Sequence, residues 1–172
     1  MTLTLVLGGA RSGKTRYALA AAMESASGKG GRLTMIATAE ALDDEMTARI
    51  ARHRAERGAA WSTVEAPLAV TESVAALEPG DVAVIDCLTL WISNLMHHER
   101  DITAAVAELA AACRVSPADI FIVSNEVGQG IVPDNALARR FRDEAGWANQ
   151  AMAKAADVAI LVVAGLPLRL KG

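Results

Sequence analysis

Gly8-Gly9-Ala10-Arg11-Ser12-Gly13-Lys14-Thr15 follows directly on the apolar run Leu3-Thr4-Leu5-Val6-Leu7. The eight residues fit G-x-x-x-x-G-K-[ST], in which a glycine-rich turn lets backbone N–H groups converge on a phosphate chain. The motif requires a buried strand before it and a helix after it. Leu3–Leu7 supplies the strand, and the helix-like stretch Lys14–Ala26 supplies the helix. Lys14 would then reach the outer phosphates, and the Thr15 hydroxyl would stand at a helix N-terminus, where Mg²⁺ is held. The stretch predicts a nucleoside triphosphate site.

Outward from this loop, short apolar runs alternate with helical segments. The runs are Leu3–Leu7, Leu33–Ala37, Val82–Ile85, Ile120–Val123 and Val158–Val163, with a further short strand at Trp61–Val64. Each of the five is continuous rather than alternating, as expected of parallel strands covered on both faces. Helices are predicted over Lys14–Ala26, Asp43–Arg57, Leu68–Leu77, Leu88–His98, Ile102–Cys113 and Asn135–Ala155. The alternation predicts an α/β fold: one domain spanning residues 1–172, three-layered, of the P-loop NTPase type, with a mostly parallel central sheet.

Open α/β sheets bind ligands beyond the carboxyl ends of their strands, so those ends carry the candidates. Val82-Ala83-Val84-Ile85-Asp86 is four apolar residues ending in a carboxylate. This is the arrangement in which the Asp sits beside a phosphate loop and holds Mg²⁺ directly or through water, a reading favoured over a cap on the helix beginning near Leu88. Ile36-Ala37-Thr38-Ala39 ends the second strand in small side chains that permit close approach of a ligand. The predicted helix after it runs from acidic Asp43-Asp44-Glu45 to basic Arg52-His53-Arg54-Ala55-Glu56-Arg57, a charge order that suits the helix dipole. Arg49, His53 and Arg57 share one stripe at i, i+4 and i+8. Two guanidinium groups flanking an imidazole favour its neutral, nucleophilic form and attract polyphosphate, but a solvated basic face reads the same way. Ser124-Asn125-Glu126-Val127-Gly128-Gln129-Gly130-Ile131-Val132-Pro133 is placed to form a pocket wall. Arg142, Gly146 and Asn149 follow on one helix face, Gly146 marking either a close approach or a break between helices. His97 and His98 read as solvated.

Composition narrows the partners. The 172 residues carry a net charge of −3, which excludes a general nucleic-acid binder. Aromatic residues make up only 3%, so the core must be built from Ala, Val, Leu and Ile. Two cysteines, Cys87 and Cys113, are too few for a disulfide framework or a zinc site. The longest apolar run, Val158–Ala164, is far short of a membrane span, and a phosphate loop beginning at Gly8 leaves no room for a signal peptide. The expectation is a cytoplasmic protein with no membrane insertion.

Together these segments resemble the adenosylcobinamide kinase/adenosylcobinamide-phosphate guanylyltransferase family. The matching pieces run in order through Gly8–Thr15, Ile36–Ala39, Asp43–Met46 with Arg49-Ile50 and His53, Asp86–Trp91 and Asn94-Leu95. They continue through Ser124–Gly128, Gly130–Pro133, Arg142-Asp143, Gly146, Asn149-Gln150 and Gly165–Leu168. The Asn-Glu-Val-Gly-x-Gly-Ile-Val-Pro block is the specific one, since the phosphate loop is shared by many proteins.

The resemblance implies a bifunctional enzyme of cobalamin biosynthesis. The first reaction phosphorylates the aminopropanol hydroxyl of adenosylcobinamide with ATP or GTP. The second transfers GMP from GTP to that phosphate, by way of a guanylylated histidine that falls on His53. The same resemblance implies nucleotide contacts at Gly8, Gly9, Ala10, Arg11, Ser12, Gly13, Lys14, Thr15, Ala37, Thr38, Ala39, Arg54, Ala55, Glu56, Arg57, Glu65 and Asp86. Mg²⁺ would lie on Thr15 and Asp86, and the corrinoid substrate would meet a compact homotrimer. Glu65, after the possible strand at Trp61–Val64, also reads as a surface residue. The alternatives are a guanylyltransferase that has lost the first step and an unrelated small-metabolite kinase, which would need Lys14, Thr15 and Asp86. The kinase would leave His53 idle, and a nucleotide-driven switch or assembly ATPase would transfer nothing to a small acceptor.

Overall fold

The computed structural model describes residues 1–28, 30–40 and 60–172. Its strands are β1 (Leu3–Gly8), β2 (Leu33–Ala37), β3 (Trp61–Glu65), β4 (Val82–Asp86), β5 (Asp119–Asn125), β6 (Val158–Val163) and β7 (Leu166–Lys171). The described helices are α1 (Lys14–Ala26), α2 (Val70–Ala75), α3 (Leu88–His97), α4 (Ile102–Val115) and α5 (Ala136–Ala155). The helix expected over Asp43–Arg57, with Arg49, His53, Arg54, Ala55, Glu56 and Arg57, lies outside the described residues.

One seven-stranded sheet runs in the order β3-β2-β4-β5-β1-β6-β7. Every neighbouring pair is parallel except β6 and β7, which are antiparallel. The alternation of side chains along each strand builds the layers. In β1, Leu3, Leu5 and Leu7 point to one face, where they join Val70 and Val74 of α2, Trp91 and Ile92 of α3, Leu109 of α4 and Met152 of α5. Val6 points the other way, to Ala18 and Ala22 of α1, with Val84, Val123 and Val162 alongside. A sheet covered on both faces explains why its inner strands read as unbroken apolar runs. The small Ala18 and Ala22, both fully buried, are the contact by which α1 lies on the sheet.

Two of the described helices open on side-chain caps. The Asp101 carboxylate accepts from Ala104 N–H at 3.0 Å, and the Asn135 carbonyl accepts from the N–H groups of Leu137 and Ala138 at 2.7 and 3.2 Å. Each cap is worth about 1 kcal/mol. Helix α5 then runs unbroken past Gly146, where an added Cβ would meet nothing within 4 Å. Gly146 therefore marks neither a helix break nor a close approach within the described chain.

Strand β7 has no counterpart among the predicted elements. All six of its residues are exposed, and Pro167 together with the alternation of Leu166, Leu168 and Leu170 with other residues conceals it from a search for continuous apolar runs. A proline is tolerated there because β7 is an edge strand.

Candidate active site

The phosphate loop joins β1 to α1 at the carboxyl end of the sheet. Gly13 adopts φ 94° and Arg11 φ 58°, both left-handed. Gly13 meets no Cβ penalty in this conformation, and an added Cβ would come within 3.3 Å of Gly165 Cα. At Gly8 a side chain would meet Val162 O at 2.7 Å as well as Ser12 Oγ. Gly165 N–H donates to Ser12 O at 2.8 Å and Ser12 N–H to Gly9 O at 3.2 Å, so the turn is pinned at both sides. Helix α1 begins with no side-chain cap and no acidic residue in its first turn. Its leading N–H groups and positive dipole end are thereby left for an anion. Lys14 is 8% exposed and donates from Nζ to Gly9 O at 3.0 Å, which folds the ammonium back over the loop.

Beside β1 stands β5 rather than the Asp86 strand. Gly8 is in register with Asn125, and β4 pairs with the far side of β5, with Asp86 opposite Val123 and Ala37. Asp86 thus ends the strand next but one to β1, with β5 between them. Helix α1 packs across β4 and β5 as it leaves the loop. Lys14 is thereby brought near Cys87, whose thiol it affects electrostatically. The Ser124-Asn125-Glu126 end gains the inner position, with Glu126 N–H donating to Gly8 O at 3.2 Å.

Polar side chains lock these strand ends together. Thr38 is fully buried; its hydroxyl accepts from Cys87 N–H at 2.7 Å and donates to Cys87 O at 2.9 Å. Asn94 of α3 donates to Thr38 O at 2.7 Å and to Pro67 O at 2.9 Å. The Thr38 side chain thus holds Cys87, the residue after Asp86. Asn125 donates to Thr89 Oγ1 at 2.7 Å. Ser124 Oγ donates to Asn149 Oδ1 at 2.6 Å, and Asn149 Nδ2 donates to Asn125 O at 3.2 Å and to Glu126 Oε1 at 3.3 Å. Burial pushes the Cys87 thiol up, with Asp86 adding to the shift. A protonated thiol is a weak nucleophile, so Cys87 fills space.

The remaining candidates spread along the same rim. Ala37 is in register with Glu65, and Glu65 stands on the edge strand β3, four strands from β1. At about 4.8 Å per strand this is roughly 19 Å from the phosphate loop. Gly9, Ala10, Arg11 and Ser12 meet Glu126, Gln129 and the end of β6 around a pocket of about 400 Å³. Arg142 pairs with Asp143 at 3.0 Å. His98 is exposed, as expected, and meets Glu40 at 3.1 Å.

Three residues whose structural roles at the site the sequence did not assign are Asn94 and Thr89, quoted only within the matching segments, and Arg139. Asn94 had a signal, being a polar side chain on the apolar face of α3 between Trp91 and Leu95. Arg139 had none, since its donation to Pro133 O and Asp134 O at 2.8 and 2.7 Å needs the folded loop.

Comparison with known proteins places the chain. The flagellar accessory protein FlaH of Methanocaldococcus jannaschii superposes on 99% of it, and on 78% of that protein, with a TM-score of 0.50 at 13% identity; this shows the fold alone. The bifunctional adenosylcobalamin biosynthesis protein CobP of Pseudomonas aeruginosa is 45% identical over 171 residues, 98% of this chain and 96% of the relative. The corresponding CobU of Escherichia coli is 40% identical over 185 residues, 98% of this chain and 99% of the relative. Residues 4–170 match the family described as cobinamide kinase / cobinamide phosphate guanyltransferase, and the chain belongs to that family.

Proposed function

We propose that the chain phosphorylates the aminopropanol hydroxyl of adenosylcobinamide with ATP or GTP, and then transfers GMP from GTP to the new phosphate, releasing pyrophosphate. The observation that carries this reading is the phosphate loop with Lys14 folded over it, on a rim shared with Asp86 and Glu126. Backbone N–H groups of residues 9–15 and Lys14 hold the nucleotide phosphates. Positioning and charge neutralisation supply most of the rate in such a transfer.

The donor set fits Mg²⁺. Among the described residues no cluster of three or more His, Cys, Asp or Glu is placed to hold a metal. Mg²⁺ needs no such cluster, because it keeps waters and binds through one or two protein oxygens plus substrate phosphates. Thr15 Oγ1 and the Asp86 carboxylate would hold it, and bound there it would neutralise charge on the phosphates.

For the second reaction the nucleophile is His53, and Arg49 and Arg57, four residues before and after it in the sequence, would offset charge on the transferring group. Glu65, Ala37 and Ala39 lie farther along the rim, towards the nucleoside, and Arg54–Arg57 are assigned to the same nucleotide. A pocket of about 400 Å³ admits the aminopropanol arm of the corrinoid and leaves the macrocycle outside. The macrocycle then rests on the loop bearing Val127, Ile131 and Val132, all exposed and Ile131 by 98%.

The test is incubation with α-³²P-labelled GTP and Mg²⁺, followed by a denaturing gel. Wild type is expected to carry an acid-labile, base-stable label and His53→Ala none, while His53→Ala still phosphorylates adenosylcobinamide. An unlabelled wild type that still hydrolyses triphosphate sinks the covalent route.

Association into a homotrimer is part of the same reading. It is supported by the edge strand β7, where Leu166, Leu168 and Leu170 share one side and are each more than half exposed. Light scattering should give three protomers for wild type and a smaller species for Leu168→Asp. No described helix is long and apolar enough to cross a membrane.

A further inference from the structure

The kinase reaction needs something the phosphate loop does not provide, which is a group to take the proton from the acceptor hydroxyl. An alcohol is a poor nucleophile until that proton leaves, whereas a phosphate monoester, the acceptor of the second reaction, is already anionic. The two reactions therefore differ in their need for a base, and one carboxylate is positioned to serve the first alone.

We propose that Glu126 is the general base of the kinase reaction, and that Asn149 is the residue that positions it; this rests on the bifunctional reading above. Four observations converge on it. Glu126 follows β5, the strand hydrogen-bonded to the phosphate-loop strand, and its N–H is fastened to Gly8 O at 3.2 Å. Its side chain lines the same 400 Å³ pocket as Gly9, Ala10, Arg11 and Ser12, so carboxylate and phosphate loop face one space. One carboxylate oxygen, Oε1, accepts from Asn149 Nδ2 at 3.3 Å, while among the described residues Oε2 accepts no hydrogen bond. Asn149 is itself fixed: it is 6% exposed, and Ser124 Oγ donates to its Oδ1 at 2.6 Å, which orients its NH₂ toward Glu126.

The other acids at this rim are otherwise engaged. Glu40 meets His98, Glu65 stands four strands away on β3, and Asp86 is the metal candidate. A carboxylate within hydrogen-bond reach of a hydroxyl is the geometry general base catalysis requires.

In the transfer, the hydroxyl oxygen forms a bond to the γ-phosphorus while its proton passes to Glu126 Oε2. The bond from the γ-phosphorus to the β,γ-bridging oxygen breaks, and the nucleoside diphosphate leaves with that electron pair. Glu126 then releases the proton to solvent, with Asn149 bound to Oε1 throughout.

The test separates the two half-reactions in Glu126→Gln and Glu126→Asp, using purified full-length protein. Phosphorylation of adenosylcobinamide by ATP is read in single turnover. Labelling by α-³²P-GTP, and discharge of the label onto added adenosylcobinamide phosphate, are read separately. In Glu126→Gln the kinase rate is expected to fall by roughly 10²–10⁴-fold, while labelling and discharge stay within about threefold. Wild-type kinase kcat/KM should decline on the acid side with unit slope, and that limb should be absent in Glu126→Gln. Glu126→Asp should retain the limb at a reduced rate, and Asn149→Ala should lower the kinase rate with the limb preserved. A kinase rate within threefold of wild type in Glu126→Gln overturns the proposal, as does an equal fall in both half-reactions. A wild type that transfers GMP but does not phosphorylate adenosylcobinamide also overturns it and leaves the transfer reading standing. A wild type that does neither sinks the bifunctional reading itself.

Discussion

At the amino-terminal rim of the sheet three aspartates are committed to backbone N–H groups of the neighbouring strand, whereas at the carboxyl-terminal rim Thr38, Asn125 and Asn149 tie the strand ends to one another and to the helices that follow, and Glu126 lines a pocket with the phosphate loop. Asp81, just before β4, accepts from Arg32 N–H at 2.9 Å and Glu78 N–H at 3.0 Å. Asp119, at the start of β5, accepts from Thr2 N–H at 2.8 Å and also from Ser25 Oγ. Asp157, just before β6, accepts from Leu3 N–H at 2.8 Å. Each carboxylate ties the start of one strand to the start of the next. The two rims thus turn similar polar groups to opposite ends: one closes the sheet, the other keeps donors and acceptors in place for a ligand.

The comparison breaks if a change at the carboxyl-terminal rim lowers stability more than activity. Lys14→Ala is the sharpest case and carries the largest expected effect. Kinase kcat should fall by roughly 10²–10³-fold, the loss typical of removing one preorganised electrostatic donor. The chain should still melt cooperatively within a few degrees of wild type, because the apolar faces of β1 and α1 are untouched. A parallel collapse of melting temperature and activity would mean that Lys14 is a structural member of the loop, and that the rims do not divide their labour in this way.

The division also explains how much was legible in the sequence. The inner strands announced themselves, because burial on both faces demands local apolar runs, and β2 and β6 match the expected limits of 33–37 and 158–163. The phosphate loop was legible for the same reason, its chemistry lying within eight consecutive residues. The aspartate rim was not. The partners of Asp81, Asp119 and Asp157 lie 49, 117 and 154 residues away, and a lone Asp before a strand carries no pattern that identifies them. The topology at the site was hidden similarly. An Asp at the end of β4 suggests a neighbour of the phosphate loop, but which strand lies between depends on the path of α1 over the sheet. Strand β7 was concealed because an edge strand exposed throughout alternates apolar with other residues and carries Pro167, so it shows no continuous apolar run.

Asp81→Asn sharpens the comparison from the other rim, with a smaller effect that should appear in stability alone. The side chain of Asp81 is 3% exposed and pairs with Arg32 Nη2 at 2.8 Å. The Arg32 guanidinium hydrogen-bonded to it, helped by the N–H groups of Arg32 and Glu78 and opposed by burial, lowers its carboxyl to about 2. A folded-state value below the unfolded one means that the charged form is favoured by folding. The stabilisation is fully present above the unfolded value near 4 and is lost as pH falls from there through about 2. Because Arg32 is largely exposed, solvent screening holds the contribution to about 1–2 kcal/mol at neutral pH. Asp81→Asn should therefore shift the urea midpoint at pH 7 by an amount equivalent to about 1–2 kcal/mol. Its deficit relative to wild type should narrow as pH is lowered from 4 towards 2, while kinase kcat at pH 7 stays within about twofold. A deficit that does not shrink with acid would show that the loss comes from packing rather than from charge. An equal loss of kinase activity would show that strain at the amino-terminal rim travels along β4 to Asp86, and that the two ends of the sheet are mechanically one.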